Sequence, residues 1–322
     1  MLNQTQVQEL SSTLRRAFVK EADAPIQILK DPCFMYFVEL FDSYCGDLKK
    51  KLENFINCVN ACGNEERFNS YSYSLRNGII TRISSKLAYQ NFITADMKQY
   101  ASTGSKANLY QADNCGHRFI SVDLVKANFA ALRLFDPELV DGYETYEQFI
   151  ANFTGYEHFR DSRQVRQYIF GNLNPKRQMT IAQFIIDKVS KGMKKEFPGS
   201  KIVASSHDEI VIMADDILKD DSIDKINGFN ITVAMVEEIV EEALKNTNGA
   251  KARVKEFILS KVGNHNFYIK EFPNGDFQLK NVPEYFLPQV YKHIIGTPLT
   301  GCDMSFFFEG QMATFMEPLK LD

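Results

Sequence analysis

The 322-residue chain contains no apolar run approaching the ~18 residues that cross a bilayer. Its first residues, Met1-Leu2-Asn3-Gln4, lack the basic start and apolar stretch of a secretory signal. Both absences predict residence in the cytoplasm, with no membrane partner. No Gly-x-x-x-x-Gly-Lys-Ser/Thr loop, nucleophile elbow or dinucleotide fingerprint occurs, so ATPase, hydrolase and dehydrogenase chemistry has no support. Cysteine is sparse and scattered: the six lie at 33, 45, 58, 62, 115 and 302, without a Cys-x-x-Cys pair or a zinc-type spacing with histidine. Cys58 and Cys62 are one helical turn apart, but no further Cys or His stands near them. The expectation is reduced core cysteines and no zinc. Positive charge is not in surplus either, with a formal net charge of -4, which is not the coat of a nonspecific nucleic-acid binder.

What is present is enough apolar material, 44% of residues, to bury one large core or two modest ones. Apolar spacing predicts helices over Gln4 to Glu21, Cys33 to Tyr44 and Gly46 to Cys62, then one or two short helices within Asp141 to Arg160. The aromatic stripe Tyr143, Tyr146, Phe149, Phe153 and Tyr156 in that stretch reads as core packing. Further on, a helix is expected over Val233 to Leu244, a strand over Ala252 to Val262, and a hairpin over Phe267 to Leu279 turning at Pro273-Asn274-Gly275-Asp276. Basic residues cluster at Lys49-Lys50-Lys51, Lys176-Arg177 and Lys188 to Lys201. Acids concentrate at Asp215 to Asp224 and Glu237 to Glu242, a pattern compatible with a basic groove beside acidic outer faces. From Tyr285 to Asp322, including Phe306-Phe307-Phe308, the sequence offers no functional reading.

Chemistry concentrates in two places. Lys201-Ile202-Val203-Ala204 and Ile210-Val211-Ile212-Met213 read as the arms of a hairpin, with His207, Asp208 and Glu209 at its turn. Arg118-Phe119-Ile120-Ser121-Val122 reads as a strand ending in Asp123, after which Leu124 to Phe135 turns to helical spacing. Two strands of one sheet delivering Asp123 and Asp208 to the same rim could hold two divalent cations about 3.5–4 Å apart for in-line phosphoryl displacement. Oxygen-only ligands of this kind suit Mg²⁺.

These residues resemble the palm of family A DNA polymerases. His207-Asp208-Glu209 is similar to the third palm motif, the strand ending in Asp123 to the first, and Asn174-Pro175-Lys176-Arg177-Gln178-Met179-Thr180-Ile181-Ala182 to the Asn-x-x-x-Gln-x-Thr-x-Ala helix between them. Thr81-Arg82-Ile83-Ser84-Ser85, followed by Gln90-Asn91, resembles the stretch that touches the primer–template minor groove. The four elements stand in family order across somewhat under half the chain. Two departures accompany them. The glutamate that family DNA polymerases place five residues after the first aspartate is Asn128 here, which matches neither them nor their relatives, the single-subunit phage RNA polymerases. The fingers helix is represented only by Arg163 to Gly171, in which Arg166 and Phe170-Gly171 take the Lys and Phe-Gly places while Asn174 falls where a tyrosine should be. Arg166 to Asp208 spans only 42 residues, so either the fingers is a single helix or a second protein subunit completes it.

The resemblance implies an α+β fold: a palm-like antiparallel sheet with packed helices, a helical thumb-like region at 1–75, palm at 76–140, reduced fingers at 141–180, and palm plus C-terminal extension at 181–322. It implies a nucleotidyltransferase that extends a nucleic-acid primer on a template from nucleoside triphosphates, in a bacterial or phage-infected cell. Two Mg²⁺ ions, with Mn²⁺ as a substitute, would sit on Asp123 and Asp208. His207 and Glu209 would support the primer end. Arg166, Arg163, Phe170 and Asn128 would contact the incoming nucleotide, and Arg82, Gln90, Asn91, Asn174, Lys176, Arg177 and Gln178 the primer–template. DNA against RNA as product stays open. A polymerase-derived structural subunit and template-independent nucleotide addition stand as alternatives.

Overall fold

The computed structural model describes residue 7 and residues 9–102, 108–214 and 231–321. The acidic stretch 215–224 and the first six residues of the chain lie outside them. The chain begins with helices α1 (Ser12–Ala22), α2 (Cys33–Leu40), α3 (Leu48–Cys62), α4 (Glu65–Ser84) and α5 (Leu87–Thr94). Strand β1 (Arg118–Leu124) follows, then α6 (Ala127–Phe135), α7 (Tyr146–Ala151), α8 (Glu157–Asp161), α9 (Arg163–Gly171) and α10 (Pro175–Glu196). The hairpin β2 (Ile202–Ser205) and β3 (Glu209–Met213), helix α11 (Val233–Leu244), strands β4 (Ala252–Val262), β5 (Phe267–Glu271) and β6 (Phe277–Lys280), helix α12 (Leu287–Ile294) and a small hairpin β7 (Ser305–Phe308) and β8 (Gln311–Thr314) complete it. The fold is α+β.

Six strands form one antiparallel sheet in the order β2-β3-β1-β4-β5-β6. Alternation along its strands supplies two apolar faces. Ile120 and Val122 of β1 with Ile210 and Ile212 of β3 join the large core that extends through the helices. Phe119, Val211, Met213, Phe257, Leu259 and Tyr268 point the other way into a smaller cluster, covered by Leu109 and Tyr110. Helix α10 packs on α6 and α11 over the first face, so the longest helix braces the two strands that carry the acids.

Local chemistry explains the element boundaries. Of the helix expected over Gln4 to Glu21, residues 4–6 and 8 lie outside the described residues; α1 begins at Ser12, where the Ser11 hydroxyl accepts the Leu14 N–H and caps it. Thr145 and Gln148 form a capping box on α7, and Ser162 caps α9. Asn174 sits in the left-handed region (φ 56°) with Pro175 as the first residue of α10, a pairing that starts a helix sharply. The aromatic stripe read as core is largely so: Tyr146 and Phe149 are fully buried.

Two features correct the sequence reading. Cys33 and Cys302 form a disulfide rather than two free thiols, with Cα atoms 5.4 Å apart and 269 residues of chain between them. Cys45, Cys58, Cys62 and Cys115 are free, as expected. The C-terminal segment that carried no reading is an organised strap: Phe306 stacks on Phe315 at 4.2 Å, and Asp303 is buried against Lys292 and Tyr36. Among the described residues no helix is long and apolar enough to cross a membrane.

Candidate active site

Strand pairing brings the two predicted acid positions together. Asp123 lies directly opposite Glu209 in the β1–β3 register, and the Leu124 N–H donates to the Asp208 carbonyl at 2.8 Å. The turn that presents Asp208 is held by a residue to which the sequence reading gave no role. The Ser206 hydroxyl donates to Asp208 Oδ1 at 2.8 Å and accepts the N–H groups of Asp208 and Glu209 at 3.3 and 3.0 Å. This is local side-chain-to-backbone turn chemistry, and it limits where the carboxylate can point. His207 is exposed at the tip, with Nε2 3.7 Å from Asp208 Oδ1.

Burial raises the Asp123 carboxyl above the ordinary carboxylate range, the charges of Glu209 and Asp208 raise it further, and Arg253 and Lys270 partly offset them. A carboxyl raised on folding binds its proton more tightly in the folded chain than in the unfolded one. Its contribution to stability is therefore lost as pH climbs from the ordinary carboxylate range through the raised value. Asp123→Asn is accordingly expected to stabilise the metal-free fold at neutral pH, on the order of 1 kcal/mol, and to flatten the stability profile across that window. Thermal melts against pH in a chelator measure this; a melting point lowered at neutral pH contradicts it.

Oxygen donors alone, crowded enough to repel one another, fit a divalent cation. Mg²⁺ takes one or two carboxylates and completes its shell with water and substrate phosphates. Asp123 and Asp208 are the sequence candidates to hold it. Among the described residues no group of three or more acid, histidine or cysteine side chains is arranged to hold a metal ion.

A cationic cluster lies just beyond. Lys126 adopts the left-handed region (φ 51°), unusual for a lysine, where the chain turns from β1 into α6. Its Nζ sits 5.5 Å from the centre of the Tyr146 ring and 3.5 Å from Glu147 Oε1, while the Arg166 guanidinium of α9 lies 5.6 Å from the same ring. Burial lowers the pKa of both cations, and Arg166 depresses Lys126 further. Lys126 follows Asp123 by three residues, so their Cα atoms are at most about 11 Å apart. Two cations over one buried phenol, whose hydroxyl has no hydrogen-bond partner, form a place for an anion. Lys126 and Tyr146 were not sequence candidates; Lys126 carried no reading and Tyr146 was read as core.

The remaining candidates are placed as follows. Phe170 is fully buried, 6.1 Å from Tyr146 and 6.4 Å from Phe129, and Asn128 is half-buried on α6. Arg163 pairs with Asp23 of the segment after α1, and Lys176 is exposed. Arg177 donates to the Phe92 and Ala95 carbonyls at 3.0 and 2.8 Å. Arg82 pairs with Asp141 at 2.8 Å, shared with Lys86, and Gln90 and Asn91 are exposed on α5. Gln178 is 2% exposed, and its amide donates to the Phe170 and Leu173 carbonyls at 2.9 and 2.6 Å, tying the end of α9 to α10. In this arrangement Gln178 faces the protein interior. Gln178→Ala is expected to cost about 1–3 kcal/mol of unfolding free energy, because it removes two buried hydrogen bonds and takes the side-chain donor from the Leu173 carbonyl, while the Phe170 carbonyl keeps the Leu173 N–H at 3.1 Å. A denaturant midpoint within error of the parent would show that those bonds carry little. No family model, curated protein or solved structure matches the chain.

Proposed function

We propose that the chain is a template-directed nucleotidyltransferase that extends a nucleic-acid primer. One observation carries the reading: two strands of one sheet set Asp123 beside Asp208 and Glu209, and the chain leaving Asp123 reaches the Lys126–Arg166 cluster three residues on. Carboxylates for metal and cations for phosphate are the pairing that phosphoryl transfer needs. The resemblance of His207-Asp208-Glu209 and of the Asp123 strand to the palm motifs of family A DNA polymerases supports the same reading.

Asp123 and Asp208 would hold Mg²⁺, which when bound supplies Lewis-acid activation of the primer hydroxyl and charge neutralisation at the leaving pyrophosphate. The chain's own groups do the rest. Arg166 contacts triphosphate oxygens bidentately and Lys126 does so as a point charge. Ser206 fixes the Asp208 turn, and exposed His207 faces the primer end. The primer oxygen bonds to the α-phosphorus as the bond from that phosphorus to pyrophosphate breaks. Helix α9 would serve as the reduced fingers, and residues 1–75 as the thumb-like region.

Template-independent addition is the second reading, favoured by the internal engagement of Arg82, Arg177 and Gln178. A labelled primer incubated with Mg²⁺, with and without template, and with dNTPs and rNTPs separately, tests both. Extension that requires template supports the first reading and extension without template the second. No incorporation under any condition overturns both.

A further inference from the structure

The sheet face that carries Asp123 and Glu209 also carries a buried lysine to which no catalytic role has been given. Lys270 lies on β5, in step with Tyr268 and therefore on the thinner of the two apolar faces. Its side chain is 7% exposed, and its Nζ sits 3.6 Å from Glu209 Oε1. The ammonium lies 4.5 Å from the centre of the Phe257 ring and 5.9 Å from that of Tyr110. An ammonium buried between two rings is costly unless a carboxylate compensates it; Glu209 partly does so, although burial still lowers the Lys270 pKa. Its charge also reaches Asp123, whose carboxyl it helps to hold ionised. Arg253, opposite Asp123 in the β4 register, is the other cation acting on that carboxyl, but it is exposed and therefore screened by salt. Lys280 on β6 acts on Lys270 only as a repelling charge.

We propose that Lys270 is a resident counter-cation, which occupies the carboxylate cluster of the metal-free protein and competes with divalent cations for it. The inference rests on the reading of Asp123 and Asp208 as metal ligands. Three carboxylates at one sheet end need positive charge nearby. In the metal-free chain the buried ammonium provides it; when a divalent cation binds, the same ammonium becomes a repulsive neighbour in a poorly screened setting. Lys270 therefore sets the cation concentration at which the site fills. It is a positioning residue, acting through Glu209 and Asp123.

The test is Mn²⁺ binding without nucleotide or nucleic acid, followed by loss of the free-ion paramagnetic resonance signal. Parent, Lys270→Met, Lys270→Gln and the surface control Arg253→Met are compared at low and high salt. Both Lys270 variants are expected to bind Mn²⁺ at least about tenfold more tightly, with the gain persisting at high salt, whereas any gain in Arg253→Met fades as salt rises. Parent binding with unchanged or weaker affinity in folded Lys270 variants overturns this proposal alone. No Mn²⁺ bound by parent or variants overturns the metal site and this proposal with it. Should neither variant fold, Mg²⁺ titration of the parent decides: the Lys270 side-chain methylene resonance is expected to move with the binding midpoint, and a static resonance overturns the proposal.

Discussion

Asp208→Ala is expected to lower primer extension at least about 100-fold while leaving the protein folded and no less stable. The activity half follows from position. Under the proposed reading Asp208 and Asp123 would hold a divalent cation, and partners one shell further from a metal are already worth 10–100-fold. The stability half follows from charge. Asp208 is one of two acids whose proximity raises the Asp123 carboxyl, so its removal relieves a repulsion. The turn itself survives, because the Ser206 hydroxyl still accepts the Glu209 N–H at 3.0 Å and the Leu124 N–H still meets the residue-208 carbonyl. Extension rate and melting temperature, measured on the same preparation, check both halves. Near-parental extension by a folded variant would remove Asp208 from the chemistry, and lost extension with a collapsed melt would make the residue structural.

Asp303→Ala is expected to have the opposite profile, a loss of about 3–5 kcal/mol in unfolding free energy with the carboxylate cluster untouched. Asp303 is 0% exposed and accepts from four donors: Tyr36 Oη at 2.8 and 2.7 Å, Lys292 Nζ at 3.2 Å, and the Thr300 amide and hydroxyl at 2.7 and 2.8 Å. Lys292, itself 8% exposed, would keep the Pro298 carbonyl at 2.6 Å and the Tyr36 hydroxyl as hydrogen-bond partners but no carboxylate from this network. Breaking one side of such a pair leaves an uncompensated buried charge, which costs more than the pair contributes over an apolar replacement. The network lies beside the Cys33–Cys302 link and joins α2 to the C-terminal strap, so its loss leaves the disulfide as their covalent tie. Denaturant unfolding at unchanged slope is the measurement. A loss under about 1 kcal/mol would mean that water enters and solvates Lys292, and the strap is looser than its contacts indicate.

Much of the sheet was legible because strands and turns announce themselves locally. Alternation placed β4 over Ala252–Val262 and turn residues placed the β5–β6 hairpin, while an acid ending an apolar strand marked Asp123. The same local signals located α6 and α11, while α9 and α10 were marked by the motif resemblance. The buried roles of Gln178 and Arg177 were not legible, since a polar residue on a helix reads the same whether it meets solvent, a nucleic acid or a neighbouring carbonyl. Lys126, Tyr146 and Lys270 were missed for the same reason. A lysine in a strand looks like a solvated position until the sheet is known to be covered on both faces.

The sequence by itself determined many of the secondary elements and which acids lie at strand ends, because those depend on period, caps and turns within a few residues; the α+β class came from the resemblance those motifs carry. Only the tertiary structure decided that Asp123 faces Glu209, that Lys126 and Arg166 converge on Tyr146, that Lys270 reaches the carboxylates, and that Cys33 meets Cys302 across 269 residues. Each depends on strand order and register, set by the simultaneous burial of both sheet faces, a global condition that no local window of residues contains.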